Sequence, residues 1–397
     1  MKTQIDRLYY ISKKKERRII GLMSGTSLDG LDIAICNFIG SGSNTNVRLE
    51  YFKTIPYTYV LTTGIQKVFA KGKIDFQHLC QLNKVLGDWY AQKILELLQE
   101  LNLETGDIDL IASHGQTVIH VPNSTSFFDG HSTLQIGDGD QIAAKTGIIT
   151  LSDFRQKHIA SGGEGAPLAI YADSILFRSE KSNRILLNLG GIANFTFLPK
   201  SSILSVPFTT DTGPANTLID QYCKKYFHIN YDNQGQIAKS GKIIPLLLES
   251  LKKHPFFHVE SPKSTGQESF NLEWVENEIL NLFLGDEPHE NIVATISQLT
   301  IDSVFKEVKP YVLVENLEVY VSGGGFHNMF MMEGLKSVLP NISVKPLSFF
   351  GIPPDAKEAV MFALFANETM DSPDVKRKGF LGKKFPMISL GKISLPL

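Results

Sequence analysis

Apolar and β-branched residues run almost unbroken through positions 18–23 and again through 31–39. Between them lies Ser24-Gly25-Thr26-Ser27-Leu28-Asp29-Gly30, a stretch of turn-forming residues. Two such runs around a Gly/Ser/Asp turn predict a hairpin, and a third apolar segment at 48–56 extends it into a meander. The period then changes. Phe76, Leu79, Leu82, Leu86, Trp89, Ile94, Leu97 and Leu98 recur every three or four residues, one face of a long amphipathic helix. Short strands are predicted at 109–112, 133–136 and 148–151. They end at Ser113-His114-Gly115-Gln116-Thr117, Gly137-Asp138-Gly139 and Asp153-Phe154-Arg155, and the stretch 161–165 leads into a helix with Pro167 near its start.

At residue 184 the opening layout returns: strand 184–189, the turn Gly190-Gly191, strand 192–198, then a third strand reaching Asp211-Thr212-Gly213-Pro214 and helices beyond. A further strand, 317–321, ends in Ser322-Gly323-Gly324-Gly325, with a helix beginning near Phe326. The helix after Pro353-Pro354 carries Ala356, Ala359, Ala363 and Ala366, small residues that permit close approach of another element. Two copies of hairpin, third strand and helices imply two related lobes with a cleft between them. The expected division is 1–180, 181–355, and a C-terminal helix and tail, 356–397, returning towards the first lobe.

Composition narrows the partners. Lys+Arg number 39 against 41 Asp+Glu in 397 residues, a formal charge of -2, without the basic excess of a nucleic-acid binder. The implied partner is a small molecule. The cysteines Cys36, Cys80 and Cys223 are far apart and lack metal-site spacing, which suits reduced thiols. Lys13, Lys14, Lys15, Arg17 and Arg18 precede only a short apolar stretch, so they read as a solvated tail rather than a signal peptide. No uncharged apolar run reaches membrane-spanning length. Cytoplasm is the expected location.

The candidate chemistry lies on the turns. The 24–30 turn offers backbone N–H groups and the hydroxyls of Ser24, Thr26 and Ser27, which suit phosphate oxygens; Asp29 would then need a cation, and Mg²⁺, directly or through water, supplies one. An ordinary hairpin turn accounts for the same residues. Gly190-Gly191 reads either as a second phosphate loop or as a bulge pair. Gly323, Gly324 and Gly325 put flat backbone at the carboxyl end of a strand, where α/β sheets bind ligands. Asp211, at a strand end before a helix opening with Pro214, reads either as a general base or magnesium partner or as a helix N-cap. Asp138, Asp153 and Glu358 read equally as loop or helix-end acids, and His114 as a loop histidine.

In combination these motifs resemble a known family. Gly21-Leu22-Met23-Ser24-Gly25-Thr26-Ser27-Leu28-Asp29-Gly30-Leu31-Asp32 is similar to the opening motif of anhydro-N-acetylmuramic acid kinases. Segments 113–117, 134–139, 153–155, 162–168, 188–194, 211–216, 262–266, 294–299, 323–325 and 351–358 continue the resemblance in order. It implies an α/β fold of two RNase H-like lobes, of the actin/hexokinase type, with mixed sheets around a central ATP/sugar cleft. It also implies cleavage of the 1,6-anhydro bridge of anhydro-N-acetylmuramate with phosphorylation of O6, using ATP and Mg²⁺, and a homodimer.

Carried over by motif, Gly25, Thr26, Ser27, Leu28, Asp29, Gly30, Leu31 and Asp32 would bind ATP phosphates, with Asn188, Gly190 and Gly191 as the second loop and Gly323, Gly324 and Gly325 facing the nucleoside. Asp211 would be the general base, and Glu358 would bond the sugar near its anomeric centre. His114, Asp153 and Arg155 would contact the sugar. Ala215 stands where the family usually has Gly, and Gln267 and the Gln156-Lys157 pair replace expected Arg. The rival readings are a kinase for another anhydro-sugar, such as levoglucosan, and an actin- or chaperone-like ATPase module.

Overall fold

A computed structural model of the chain describes residues 2–25, 28–124, 130–166, 168–200, 206–266, 268–371 and 389–397. Pro167 and Gln267 lie outside the described residues. The chain divides into two compact units, Met1–Leu176 with Gly351–Leu397, and Phe177–Phe350.

The first unit is built on a mixed sheet. Strands β1 (Glu16–Ser24), β2 (Gly30–Ile39) and β3 (Asn46–Pro56) form the antiparallel meander that the apolar runs predict. β4 (Leu110–Ser124) pairs parallel with β1 and with β6 (Thr150–Ser152), while β5 (Gly130–Ile136) folds back on β4. A late strand, β12 (Lys392–Ser394), closes the edge by pairing with β6. One face is covered by the helix Phe76–Glu100, whose Leu82, Leu86, Ile94 and Leu98 join Ile20, Leu22 and Ile33 in a single core. The C-terminal helix Lys357–Thr369 also packs on β1, β2 and β4.

That helix comes close for a definite reason. A Cβ on Gly21 would overlap the Ala359 carbonyl and lie 3.1 Å from the Ala363 Cβ. A glycine in a buried strand marks such an approach of backbone to backbone. Glycine on the strand and alanine on the helix act together.

The N-terminal basic cluster differs from expectation. The helix Lys2–Lys13 precedes β1, and the Arg17 guanidinium is buried, donating to the carbonyls of Ile11 and Ser12 and to Asn367 Oδ1, each at 2.9 Å. Lys14 pairs with Asp109 at 2.6 Å and Arg18 with Glu50 at 2.9 Å. Much of the cluster anchors the first unit rather than forming a solvated tail. A charge can be buried only when it is paired and hydrogen-bonded.

In the second unit, β7 (Asn183–Leu189), β8 (Ile192–Leu198) and β9 (Phe208–Pro214) form a second antiparallel meander, and β10 (Leu317–Ser322) and β11 (Ser343–Pro346) extend it in parallel. The helix His289–Val308 is buried along most of its length between two apolar clusters. The orders β3-β2-β1-β4-β6 and β9-β8-β7-β10-β11 are the same order twice. Each is a three-strand meander followed by two parallel strands, the RNase H-like arrangement. The chain is an α/β protein with two mixed sheets of one design.

Candidate functional site

In the first unit, Thr26 and Ser27 lie outside the described residues. Around them the turn is held from below. Ser24 is buried, and its hydroxyl donates to Gln116 Oε1 and is bonded to the Tyr57 hydroxyl rather than facing outward. Tyr57 in turn reaches the Tyr90 hydroxyl at 2.9 Å. Gln116 Nε2 donates to the Gly25 carbonyl at 3.1 Å and to the Thr117 carbonyl at 3.2 Å. The Asp29 carbonyl accepts from the Tyr57 N–H at 3.2 Å. Leu28 sits at φ 57, in the left-handed region, and packs on the core. Leu31 is fully buried, so its side chain is a core element. Gly30 admits β3, because a Cβ there would overlap the Ile55 carbonyl. The Asp32 carboxylate accepts from Thr54, and burial raises its pKa.

His114 was expected in a loop but lies within β4, which continues past 112 to Ser124. Its ring is 3% exposed and packs 4.6 Å from that of Phe362. Nε2 accepts from Arg155 Nε at 2.8 Å, and Arg155 Nη1 donates to the Gly165 carbonyl at 3.0 Å. Burial, with the guanidinium beside it, lowers the His114 pKa to about 3, so the ring is neutral. Asp153 precedes the short helix Phe154–Ala160 at φ 55, with Lys392 Nζ 3.9 Å from its carboxylate. Burial raises the Asp153 pKa.

Glu358 occupies the first turn of the C-terminal helix. Its surface opens to solvent, yet protein crowds it closely enough that desolvation raises its pKa, and the charges of Arg155 and Lys357 oppose the rise. Arg155 thus bonds His114 directly, and its charge also acts on Glu358. His114 and Asp153 also line one polar pocket of about 220 Å³ with Ser113, Gln135, Asp138 and Lys392.

In the second unit, the Gly190-Gly191 turn is held mainly by backbone. The N–H groups of Ala215 and Asn216 donate to the carbonyls of Gly191 and Gly190, both at 3.0 Å. Asn216 Nδ2 adds bonds to the Leu189 and Gly190 carbonyls at 2.7 and 2.8 Å. Gly323, at φ 83, lies against this turn: a Cβ there would fall 2.6 Å from the Leu189 carbonyl and 2.7 Å from Asn188 Oδ1. Gly325 likewise packs on Leu189, whereas a Cβ on Gly324 would meet only Asn216 Nδ2 at 3.6 Å. Two of the three glycines therefore serve packing, and Gly324 leaves backbone uncovered. A short 3-10 turn, Gly324–His327, follows them, and the helix itself starts later, at Met329–Val338.

Asp211 is not a helix N-cap. It lies inside β9, paired with Asn194, and the next helix, Asn216–Tyr226, has Ala215 at its cap. The loop at 262–266 holds it instead: its N–H donates to the Lys263 carbonyl at 2.9 Å, and its Oδ2 accepts from the Thr265 N–H at 2.7 Å. Lys263, despite its charge, is committed to Glu307 at 2.7 Å and to the carbonyls of Phe256 and Val259. Burial raises the Asp211 pKa, and the Thr265 bond works against that rise. A half-buried carboxylate with a raised pKa and one oxygen fixed is suited to accepting a proton.

Sequence reasoning missed Tyr57, Tyr90 and Lys392. Gln116 and Gln135 stood in quoted motifs but without roles, and no local signal pointed to the two tyrosines.

Among known proteins, the anhydro-N-acetylmuramic acid kinase family matches residues 17–387. An anhydro-N-acetylmuramic acid kinase of Pseudoalteromonas atlantica is 44% identical over 402 residues, covering 100% of both chains. Proteins of the same name from Pseudoalteromonas translucida and Caldanaerobacter subterraneus are 41% and 38% identical, covering 99% and 98% of this chain and 99% and 100% of theirs.

Proposed function

Because this chain belongs to the anhydro-N-acetylmuramic acid kinase family, we propose that it hydrolyses the 1,6-anhydro bridge of 1,6-anhydro-N-acetylmuramate and phosphorylates O6, giving N-acetylmuramate 6-phosphate. The observation that carries this reading is 44% identity to a kinase of that name along the whole of both chains.

In this reading Asp211 takes a proton from the water that attacks C1. The C1–O6 bond breaks, and O6 bonds the γ-phosphorus of ATP as ADP leaves. The raised pKa of Asp211 moves it towards the working range of a general base. Glu358 bonds the sugar near the anomeric centre, and Arg155, planar and fixed by His114, faces the anionic lactyl arm. The backbone of 25–32 and of Gly190-Gly191, with Asn188, cradles the phosphates, and Gly323, Gly324 and Gly325 face the nucleoside.

Among the described residues no group of three or more His, Cys, Asp or Glu side chains could hold a metal ion. The cation therefore fits as part of the MgATP substrate, with Asp29 the carboxylate nearest to it in this reading. The same reading makes the protein a cytoplasmic homodimer that acts in recovery of cell-wall sugar. No helix among the described residues is long and apolar enough to cross a membrane. The test is mass spectrometry of the product formed from ATP and the anhydro-sugar in ¹⁸O-water. One labelled oxygen at C1 and one phosphate at O6 are expected; a phosphorylated sugar with its bridge intact, or no product, overturns the reading.

A further inference from the structure

A charged side chain is buried at tolerable cost only when its hydrogens find acceptors. Lys263 meets that condition with its side chain 2% exposed. Nζ donates to Glu307 Oε1 at 2.7 Å and to the carbonyls of Phe256 and Val259 at 3.2 and 3.1 Å. It also lies 4.5 Å from the centre of the Phe256 ring. The three hydrogens of an ammonium group are thereby used. None is left for a substrate or for the Asp211 carboxylate, so any part Lys263 plays in the reaction runs through the backbone it holds.

That backbone is clamped to β9. The Lys263 N–H donates to Thr210 Oγ1 at 3.1 Å, and its carbonyl accepts from the Asp211 N–H at 2.9 Å. Two residues on, the Thr265 N–H reaches Asp211 Oδ2 at 2.7 Å. Among the described residues no other hydrogen bond holds Ser264 or Thr265, so Lys263 is the anchor nearest to that amide. Glu307 completes the clamp. Its Oε2 accepts from the Ser261 hydroxyl at 2.5 Å while Oε1 takes Lys263, so one carboxylate ties both residues to the helix His289–Val308.

Resting on the reading of Asp211 as the base, we propose that Lys263 and Glu307 are positioning residues for the reaction. Their ion pair sets the 262–266 loop so that the Thr265 N–H holds Asp211 Oδ2 and leaves Oδ1 to take the proton. A main-chain donor on an anchored loop cannot swing away, which keeps the carboxylate in one orientation. Small misplacements of a reacting group are expensive in rate.

The test replaces the pair by apolar side chains, Lys263→Met together with Glu307→Leu, an exchange that often leaves stability unchanged or improved. The urea midpoint is expected to stay near that of wild type while kcat falls about tenfold and KM for ATP stays within about twofold. The acid limb of the kcat–pH profile should move up by about one pH unit, because the carboxylate loses an amide that favours its charged form. Glu307→Gln keeps an acceptor for Ser261 and Lys263, and should give a smaller change in the same direction. A wild-type kcat and acid limb in the double variant, or in Glu307→Gln if the double variant does not fold, overturns the proposal. In an Asp211→Asn background the double substitution should lower kcat no further, since the pair acts through that carboxylate; a second fall of about tenfold also overturns it. If Asp211→Asn alone turns over within a few-fold of wild type, the base reading has failed, and that result is in hand before the pair is tested.

Discussion

The two meanders share one strand order but hold their first turns by different means. In the first unit, the Ser24-Gly25 end rests on a buried side-chain chain that runs from Tyr90 through Tyr57 and Ser24 to Gln116. In the second, the Gly190-Gly191 turn is tied by three backbone bonds and one asparagine, and Gly323, just after β10, packs against it. The proposed base, Asp211, belongs to the second meander, on its third strand. Repeating a topology therefore does not repeat a chemistry, because topology fixes where backbone runs while side chains decide what each turn presents.

The largest expected effect tests where the base resides. Asp211→Asn should lower kcat by about 10²–10⁴ with ATP affinity changed only a few-fold, checked by steady-state rates and calorimetry. In the wild type, kcat should fall as pH drops through the Asp211 pKa, above the ordinary carboxylate value of 3.8, because burial raises it. Turnover of the variant within a few-fold of wild type removes the base from the second unit.

Next, Gln116→Met leaves the Gly25 carbonyl without its Gln116 donor and the Ser24 hydroxyl with Tyr57 alone. It should cost about 2 kcal/mol in urea denaturation and raise KM for ATP. Unchanged stability would mean that the buried chain does not support the turn.

His114 gives a pH signature confined to the first unit. Its folded-state pKa of about 3 lies below the unfolded 6.5, so the unfolded chain binds the extra proton. Stability should be fully present above 6.5 and fall as pH drops from 6.5 towards 3. His114→Asn should remove up to about 1.4 kcal/mol per pH unit of that slope, read from denaturation curves across the window. An unaltered slope would place the proton uptake elsewhere.

The smallest effect is expected from Asn216→Ala, about 1 kcal/mol, because the backbone bonds of Ala215 and Asn216 continue to hold the second turn. A loss as large as that in Gln116→Met would erase the contrast between the two turns.

Much of the framework was legible in local pattern. The apolar runs at 18–23 and 31–39 became β1 and β2, and the helical period from Phe76 became Phe76–Glu100, since burial of a periodic apolar face depends on near neighbours in sequence. The alanine spacing at 359, 363 and 366 anticipated close packing, and Gly21 supplies the other side of it.

Side-chain partners were not legible, because they depend on residues brought together from afar. Arg17 looked like part of a solvated tail until Asn367, 350 residues away, met it. Asp211 could be read as a base, a magnesium partner or a cap until the strand continued through it and the 262–266 loop closed over it, which removed the cap reading. The sequence by itself determined the two meanders, their repetition, the long helix from Phe76 and the family. Only the tertiary structure decided that Gln116 and Tyr57 support the first turn, that Arg155 sets the proton position on His114, and that Ser113 and Gln135 share its pocket. Hydrogen bonds act over about 3 Å in space, and no periodicity along the chain records which distant residues will come within that reach.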